Sequence, residues 1–248
     1  MAQTAKIAWN DVTIRFGRQT VLDRLNLEAV EGRSLVIIGG SGSGKSVMLK
    51  TALGLIAPDC GRVQIDGRAV RPGHEDDPGV AQVGMLFQSG ALFDSLPVWK
   101  NVSFRLLHRD HMQADEARER ALEALDQVDL DPDVADKRPS QLSGGMLKRA
   151  ALARAIAARP KILFFDEPTT GLDPVTADVI NKLIIRQVKQ LGATAVSITH
   201  DMVSMRAIAD DVAMIKDGGI LWTGPLDGVE TCENSEVCRF VRGESETA

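Results

Sequence analysis

The chain has no tyrosine, and aromatic residues fill only 4% of its 248 positions. Any stacking on a flat ligand therefore falls to phenylalanine or tryptophan. Cysteine is scarce too. Cys60, Cys232 and Cys238 are odd in number and lack paired-ligand spacing, so they read as reduced thiols in a cytosolic protein. A zinc site on Cys232 and Cys238 is the lesser alternative. Long apolar runs are missing: SLVIIGG and KILFFDE fall far short of a spanning helix. The opening MAQTAKIAWNDVTIRF has no cationic head before an apolar core, so no signal peptide is expected. There is no basic block either. With a net charge of −5, electrostatics announce no nucleic-acid groove.

What remains is ordinary globular composition, long enough for one or two domains with a real core. Ile7 to Glu28 reads as short strands, and SLVIIGG as a buried strand before a turn. A helix should run from Lys45 to Ile56, stopped by Pro58. GRVQIDGRAV and DVAMIKDGGILWTG predict hairpins turning at Asp66-Gly67 and Asp217-Gly218. VGMLF, KILFF and AVSIT read as further buried strands. ADEARERALEALDQVDL places Ala121, Leu122, Leu125 and Val128 on one helical face. Further helices should begin after Ser143 and Pro174. Alternating strands and helices imply an α/β fold with a largely parallel sheet. The stretch from about Asp94 to Arg138 looks like a helical insertion, and GESETA like a disordered end.

GGSGSGKS, Gly39 to Ser46, follows a strand and opens a helix. This is the phosphate-loop pattern in its required context. Gly39, Gly40, Ser41, Gly42, Ser43 and Gly44 let backbone N–H groups curl around phosphates, at a helix N-terminus continued by Val47. Lys45 would reach the β- and γ-phosphates, and the Ser46 hydroxyl would bind Mg²⁺. KILFFDEP ends a strand in two acids, where open α/β sheets bind ligands. Asp166 would hold Mg²⁺ through water, and Glu167 would polarise the attacking water. Gln88 is a lone amide at the end of VGMLF, placed to reach Mg²⁺ or that water. LSGGM offers a second anion site: Ser143 caps a helix, and Gly144 and Gly145 leave its first N–H groups uncovered. Two such sites in one chain suit two chains head-to-tail, each closing the other's nucleotide.

These motifs, in this order, closely resemble those of the ATP-binding-cassette (ABC) ATPases over roughly Ile7 to Gly224. The resemblance implies a P-loop NTPase with a RecA-like core, an N-terminal antiparallel β subdomain and a helical insertion. It implies one domain over 5–240, with core about 5–92 and 158–225, helical subdomain about 93–157, and a flexible tail over 241–248. TTGLDP resembles the D-loop, with Asp173 facing a partner subunit. SITHD resembles the switch segment, with His200 sensing the γ-phosphate. Phe16 stands where the family stacks an aromatic on adenine, with a core position as the alternative. The implied assembly is a homodimer sandwiching ATP, working with a membrane permease dimer on the cytoplasmic face of the inner membrane.

Within the family, MLFQSGALFDSLPVWKNV and LSGGM resemble the ATPases of Mla-type (maintenance of lipid asymmetry) transporters. That implies phospholipid transport with an MCE-type substrate-binding protein, and leaves room for a small regulatory subunit. Met146 stands where many import ATPases carry glutamine, and its thioether cannot replace an amide's contact to a nucleotide sugar. Leu92, Phe93 and Leu96 would line a groove gripping a permease helix. Two alternatives stay open: an ABC importer ATPase for a small polar solute, and a soluble ABC ATPase of nucleic-acid maintenance. The chain shows neither tandem cassettes nor basic patches for the latter.

Overall fold

The computed structural model describes residues 4–74, 77–231 and 233–244. The chain forms two compact units, Met1–Val83 with Thr194–Ala248, and Gly84–Ala193.

The first unit opens with two long strands, β1 (Ala5–Phe16) and β2 (Gln19–Val30). The loose alternation that suggests several short strands arises from register shifts around Val12 in one continuous antiparallel pair. With β4 (Cys60–Ile65) and β5 (Arg68–Ala69) they make a sheet in the order β2-β1-β4-β5. Asp66 and Gly67 turn the β4–β5 hairpin with φ of 50° and 71°, as a two-residue turn of the I′ kind requires. A second set of strands runs β10-β9-β3-β8: β3 (Ser34–Ile38), β8 (Thr194–Ile198), β9 (Asp211–Lys216) and β10 (Gly219–Pro225). β3 pairs parallel with both β8 and β9, whereas β10 returns antiparallel through Asp217-Gly218. β3 is buried from Leu35 to Ile38, as expected for a strand covered on both faces.

α1 (Lys45–Ala52) follows β3. It ends four residues before the expected Ile56, because the Leu55 N–H turns back to the Lys50 carbonyl at 2.9 Å. Trp9 of β1 is 1% exposed, and its indole N–H reaches the Met48 carbonyl at 3.3 Å and Thr51 Oγ1 at 3.2 Å. The first sheet thus holds the helix that carries Lys45. Two helices went unforeseen, α7 (Met202–Ile208) and α8 (Ser235–Arg242). α8 corrects the tail boundary: Val241 is 2% exposed inside a helix that runs to Arg242, because its apolar face finds a core to cover. Residues 245–248 of the expected tail lie outside the described residues.

The second unit contains β6 (Val83–Leu86, from Gly84 on), α2 (Val98–Val102), α3 (Phe104–His108), α4 (Ala114–Gln127), α5 (Gly144–Ile156), β7 (Ile162–Asp166) and α6 (Pro174–Leu191). β6 and β7 are neighbours. α4 packs on α5 and on α2, and its Ala117, Ala121 and Ala124 are buried. Leu122 is half-exposed and Ala124 takes its expected place in the core. The expected α4 face is therefore rotated slightly. The last turn of α4 holds no cation of its own. Instead Arg149 of α5 donates to the Asp129 carbonyl at 2.7 Å, and Arg186 of α6 to the Gln127 carbonyl at 2.5 Å. Cations from two other helices thus satisfy the negative end of α4.

Candidate functional site

In the first unit the loop between β3 and α1 is shaped by close approach. Gly39 has φ 151°, and a Cβ there would lie 2.3 Å from the Ile215 carbonyl of β9. No side chain fits. Gly44 has φ 102° and would drive a Cβ to 2.7 Å from Leu22 of β2. The loop is therefore clamped between β9 and β2, with its amides curled. The Lys45 ammonium lies against the loop's own carbonyls, 2.8 Å from both Gly39 and Gly40, and 3.4 Å from Ser43 Oγ. α1 begins without a side-chain cap, so no capping side chain competes with an anion for its first amides. Ser41, Gly42 and Ser46 are exposed on this loop, and Ser43 and Val47 half-buried. Beside it opens a pocket of about 630 Å³, lined by Gly40 to Ser43, Val21, Lys216 and Phe240.

Phe16 ends β1 and is 53% exposed. A core role is thereby removed. It does not line the pocket beside the loop, whereas Phe240 of α8 does. Sequence reasoning missed Phe240; its signal was an aromatic on the buried side of a short C-terminal helix.

His200 is exposed at the end of β8. The turn after it is set by Asp201, which sequence reasoning also missed. The Asp201 carboxylate accepts from the Val203 N–H at 3.0 Å, the Ser204 N–H at 3.2 Å and Ser204 Oγ at 2.6 Å. Partial burial works against its ionisation. The Ser204 hydroxyl, these amides and the nearby His200 outweigh that, and hold the carboxyl below its ordinary value of 3.8. An Asp followed three residues later by Ser at a helix start was the available signal.

In the second unit Gln88 is exposed just beyond β6. The loop after it is fixed by Asn101 of α2, which is 0% exposed. Its amide accepts from the Phe93 N–H at 2.6 Å and donates to the Phe93 and Leu96 carbonyls at 3.0 and 3.1 Å. Phe93 is 41% exposed, with its ring 4.7 Å from that of Phe104 and the Arg154 guanidinium 5.1 Å away. Asp166 ends β7, and Glu167 follows with φ 50°, uncommon for a residue with a side chain. Thr170 Oγ1 donates to Glu167 Oε2 at 2.8 Å, which aims the carboxylate.

Ser143 caps α5 as expected, its Oγ accepting from the Met146 N–H at 3.4 Å. Asp173 has a local duty that the sequence reading did not give it. It caps α6, accepting from the Val175 and Thr176 N–H groups at 3.1 and 3.0 Å and from Thr176 Oγ1 at 2.6 Å. The Thr176 hydroxyl and amide hold its carboxyl below the ordinary value. Ser143, Gly144, Gly145 and Asp173 line one pocket of about 490 Å³. The second unit thus gathers the signature and D-loop residues into one place.

The donor set expected for Mg²⁺, the Ser46 hydroxyl, the Gln88 amide oxygen and the Asp166 carboxylate, is all oxygen and suits a hard cation. Among the described residues no group of three or more His, Cys, Asp or Glu could hold a metal. Among the described residues Cys60 is exposed and Cys238 half-buried, and the two form no disulfide; Cys232 lies outside the described residues. Among the described residues no helix is long and apolar enough to cross a membrane.

Comparison with known proteins agrees with this geometry. The ABC transporter family profile matches residues 22–170. An intermembrane phospholipid transport system ATP-binding protein, MlaF of Haemophilus influenzae, is 37% identical over 95% of this chain and 90% of its own length. A methionine import ATP-binding protein, MetN of Mesorhizobium japonicum, is 40% identical over 94% of this chain and 64% of its own length. A dimeric ATP-binding cassette, solved in a post-hydrolysis state with ADP and Pi, superposes with a TM-score of 0.77 at 34% identity, over 89% of this chain and 98% of its own. The chain belongs to the ABC transporter family, as an ATP-hydrolysing cassette.

Proposed function

We propose that this cassette drives a transporter that moves phospholipids between membranes. The observation that carries this reading is the likeness to MlaF along nearly the whole of both chains, together with the apolar Met146 in the signature. A second reading, an importer of a small polar solute, has the 40% identity to MetN in its favour. The experiment that separates them is purification of the membrane complex from detergent, with mass spectrometry of its subunits and bound small molecules. An MCE-type subunit and co-purifying phospholipid support the first reading. A soluble solute-binding protein without lipid overturns it.

In the proposed reaction, ATP and water give ADP and phosphate. Lys45 and the loop amides of Gly40 to Ser46 bind the β- and γ-phosphates and offset their charge. Ser46, Gln88 and, through water, Asp166 would hold Mg²⁺, which supplies further neutralisation of phosphate charge when bound. Glu167 takes the water's proton, and His200 contacts the γ-phosphate side. Ser143 to Gly145 engage the nucleotide of a second copy, and Asp173 faces that copy with its cap intact. Catalysis of this kind is positioning and charge stabilisation, so the anchors behind each side chain matter as much as the side chains. The half-exposed patch of Leu92, Phe93 and Leu96, held by Asn101 and Arg154, is the proposed seat for a permease helix. It is apolar at its surface and anchored beneath by the Asn101 hydrogen bonds, which suits a docking site for an amphipathic helix.

A further inference from the structure

Lys148 on α5 is a buried cation that the mechanism above does not use. It is 7% exposed. Its ammonium donates to the backbone carbonyl of Gln88 at 2.5 Å and to that of Glu167 at 3.5 Å. One side chain therefore ties the residue after β6 to the residue after β7. Burial pushes the ammonium below the ordinary lysine value of 10.5, while the carboxylates of Glu167 and Asp166 pull the other way. The same helix follows the Gln88 loop further. A Cβ on Gly90 would lie 3.4 Å from Ala151 Cβ, and Arg154 donates to the Ala91 carbonyl at 2.5 Å. Positions 147/148, 151 and 154 recur at helical spacing, so one face of α5 carries Gln88 to Ala91 as a rider. The N-terminus of α5 is Ser143 to Gly145.

We propose that Lys148 is a positioning residue for hydrolysis: it fixes the main chain of Gln88 and Glu167 to each other and to the helix bearing the signature. This rests on the reading that Gln88 and Glu167 serve the reaction. Lys148 acts through the two residues whose carbonyls its ammonium holds. Glu167 stands in a φ 50° backbone that needs outside support, and a charge-assisted bond to its carbonyl supplies it. A movement of α5 would reach both side chains through this one contact.

The test uses the full-length purified protein and four variants: Lys148→Met, Lys148→Gln, Lys148→Arg and Glu167→Gln. Steady-state ATP hydrolysis, ATP binding by calorimetry and thermal midpoint are read for each. Lys148→Met should lower kcat by about 10- to 100-fold, as a misplaced reacting group does, with KM and ATP affinity within about twofold. Lys148→Arg, whose guanidinium can donate to both carbonyls, should recover most of that loss. If Lys148→Met fails to fold, Lys148→Gln, polar but uncharged and one bond shorter, cannot reach both carbonyls and should show the same split. Wild-type kcat in a folded Met or Gln variant overturns the proposal. So does an equal loss in the Met and Arg variants accompanied by a lower thermal midpoint, which would make Lys148 a packing residue. Glu167→Gln keeps the two readings apart. If it turns over normally, the Glu167 assignment fails. If it is inactive while Lys148→Met is normal, only the role of Lys148 fails.

Discussion

Two glycine-rich helix starts, one in each unit, are finished differently. α1 begins at Gly44 with φ 102° and no side-chain cap. Its lysine is held by two loop carbonyls at 2.8 Å. α5 begins at Ser143, whose hydroxyl takes the Met146 amide at 3.4 Å, and the carboxylate of Asp173 lines the same pocket. The first start has the makings of an anion site, with no side-chain cap, a cation and a shape set by neighbouring strands. The second has part of its positive end satisfied and an acid nearby, so it is a weak anion site alone. This difference suits a division of labour in which α1 binds nucleotide in every state. On that proposed reading, α5 contributes only once a nucleotide held by another copy is presented to it.

Four variants would break or sharpen that comparison. The largest effect is expected at Glu167. Glu167→Gln should slow turnover by about 100-fold or more, the range for removing a general base, while calorimetry still finds ATP bound and an ATP-dependent dimer accumulates in gel filtration. Near-normal turnover would remove Glu167 from the chemistry. Next is the first start itself. Lys45→Ala should weaken ATP binding by about 10- to 100-fold, the size of a lost charge-assisted bond, and should do so in the monomer. Unchanged affinity would erase the distinction between the two starts. Ser143→Arg should leave monomer binding alone but weaken the ATP-induced dimer by roughly 10- to 100-fold through overfilling its pocket. Sedimentation in ATP measures it, and a monomer-level binding defect would contradict the assignment.

The smallest effect is at α7, a helix start closed by a carboxylate. Asp201→Ala should cost about 1 kcal/mol of stability, as a lost N-cap does. The folded carboxyl lies below its ordinary 3.8, so its contribution is fully present above the unfolded value and fades as pH falls through the folded one. The difference in denaturation midpoint between wild type and variant should therefore be constant near neutrality and narrow below about pH 4. A gap that widens in acid would reverse the sign of this argument.

Much of the fold was legible. Compact apolar runs announced β3, β7 and β8, and Asp-Gly pairs announced both hairpins, because these signals are local. The first sheet's bulges were not legible. A register shift looks in sequence like a broken alternation, and only the partner strand shows that β1 continues. The C-terminal helix was missed for a similar reason. SEVCRFVR is short and half polar, and Val237 and Val241 become informative only when a core is there to receive them. Gln88, Asp166, Glu167 and His200 stood out as polar residues ending apolar runs. The groups that hold them, Asn101, Lys148 and Asp201, did not, since an asparagine, a lysine or an aspartate inside an ordinary stretch carries no sign of its partner.

The sequence by itself determined the chemistry on offer: a phosphate loop, an acidic strand end and a second glycine-rich helix start, in the order of an ABC cassette. It could do so because each of these is built from neighbours in the chain, where spacing alone places amide, ammonium and carboxylate. Only the tertiary structure decided what keeps them in place. Gly39 is compelled by a β9 carbonyl from a residue 176 positions later, and Lys148 bridges main-chain oxygens 60 residues before it and 19 after. Such contacts depend on how distant segments meet, which packing sets and spacing does not record.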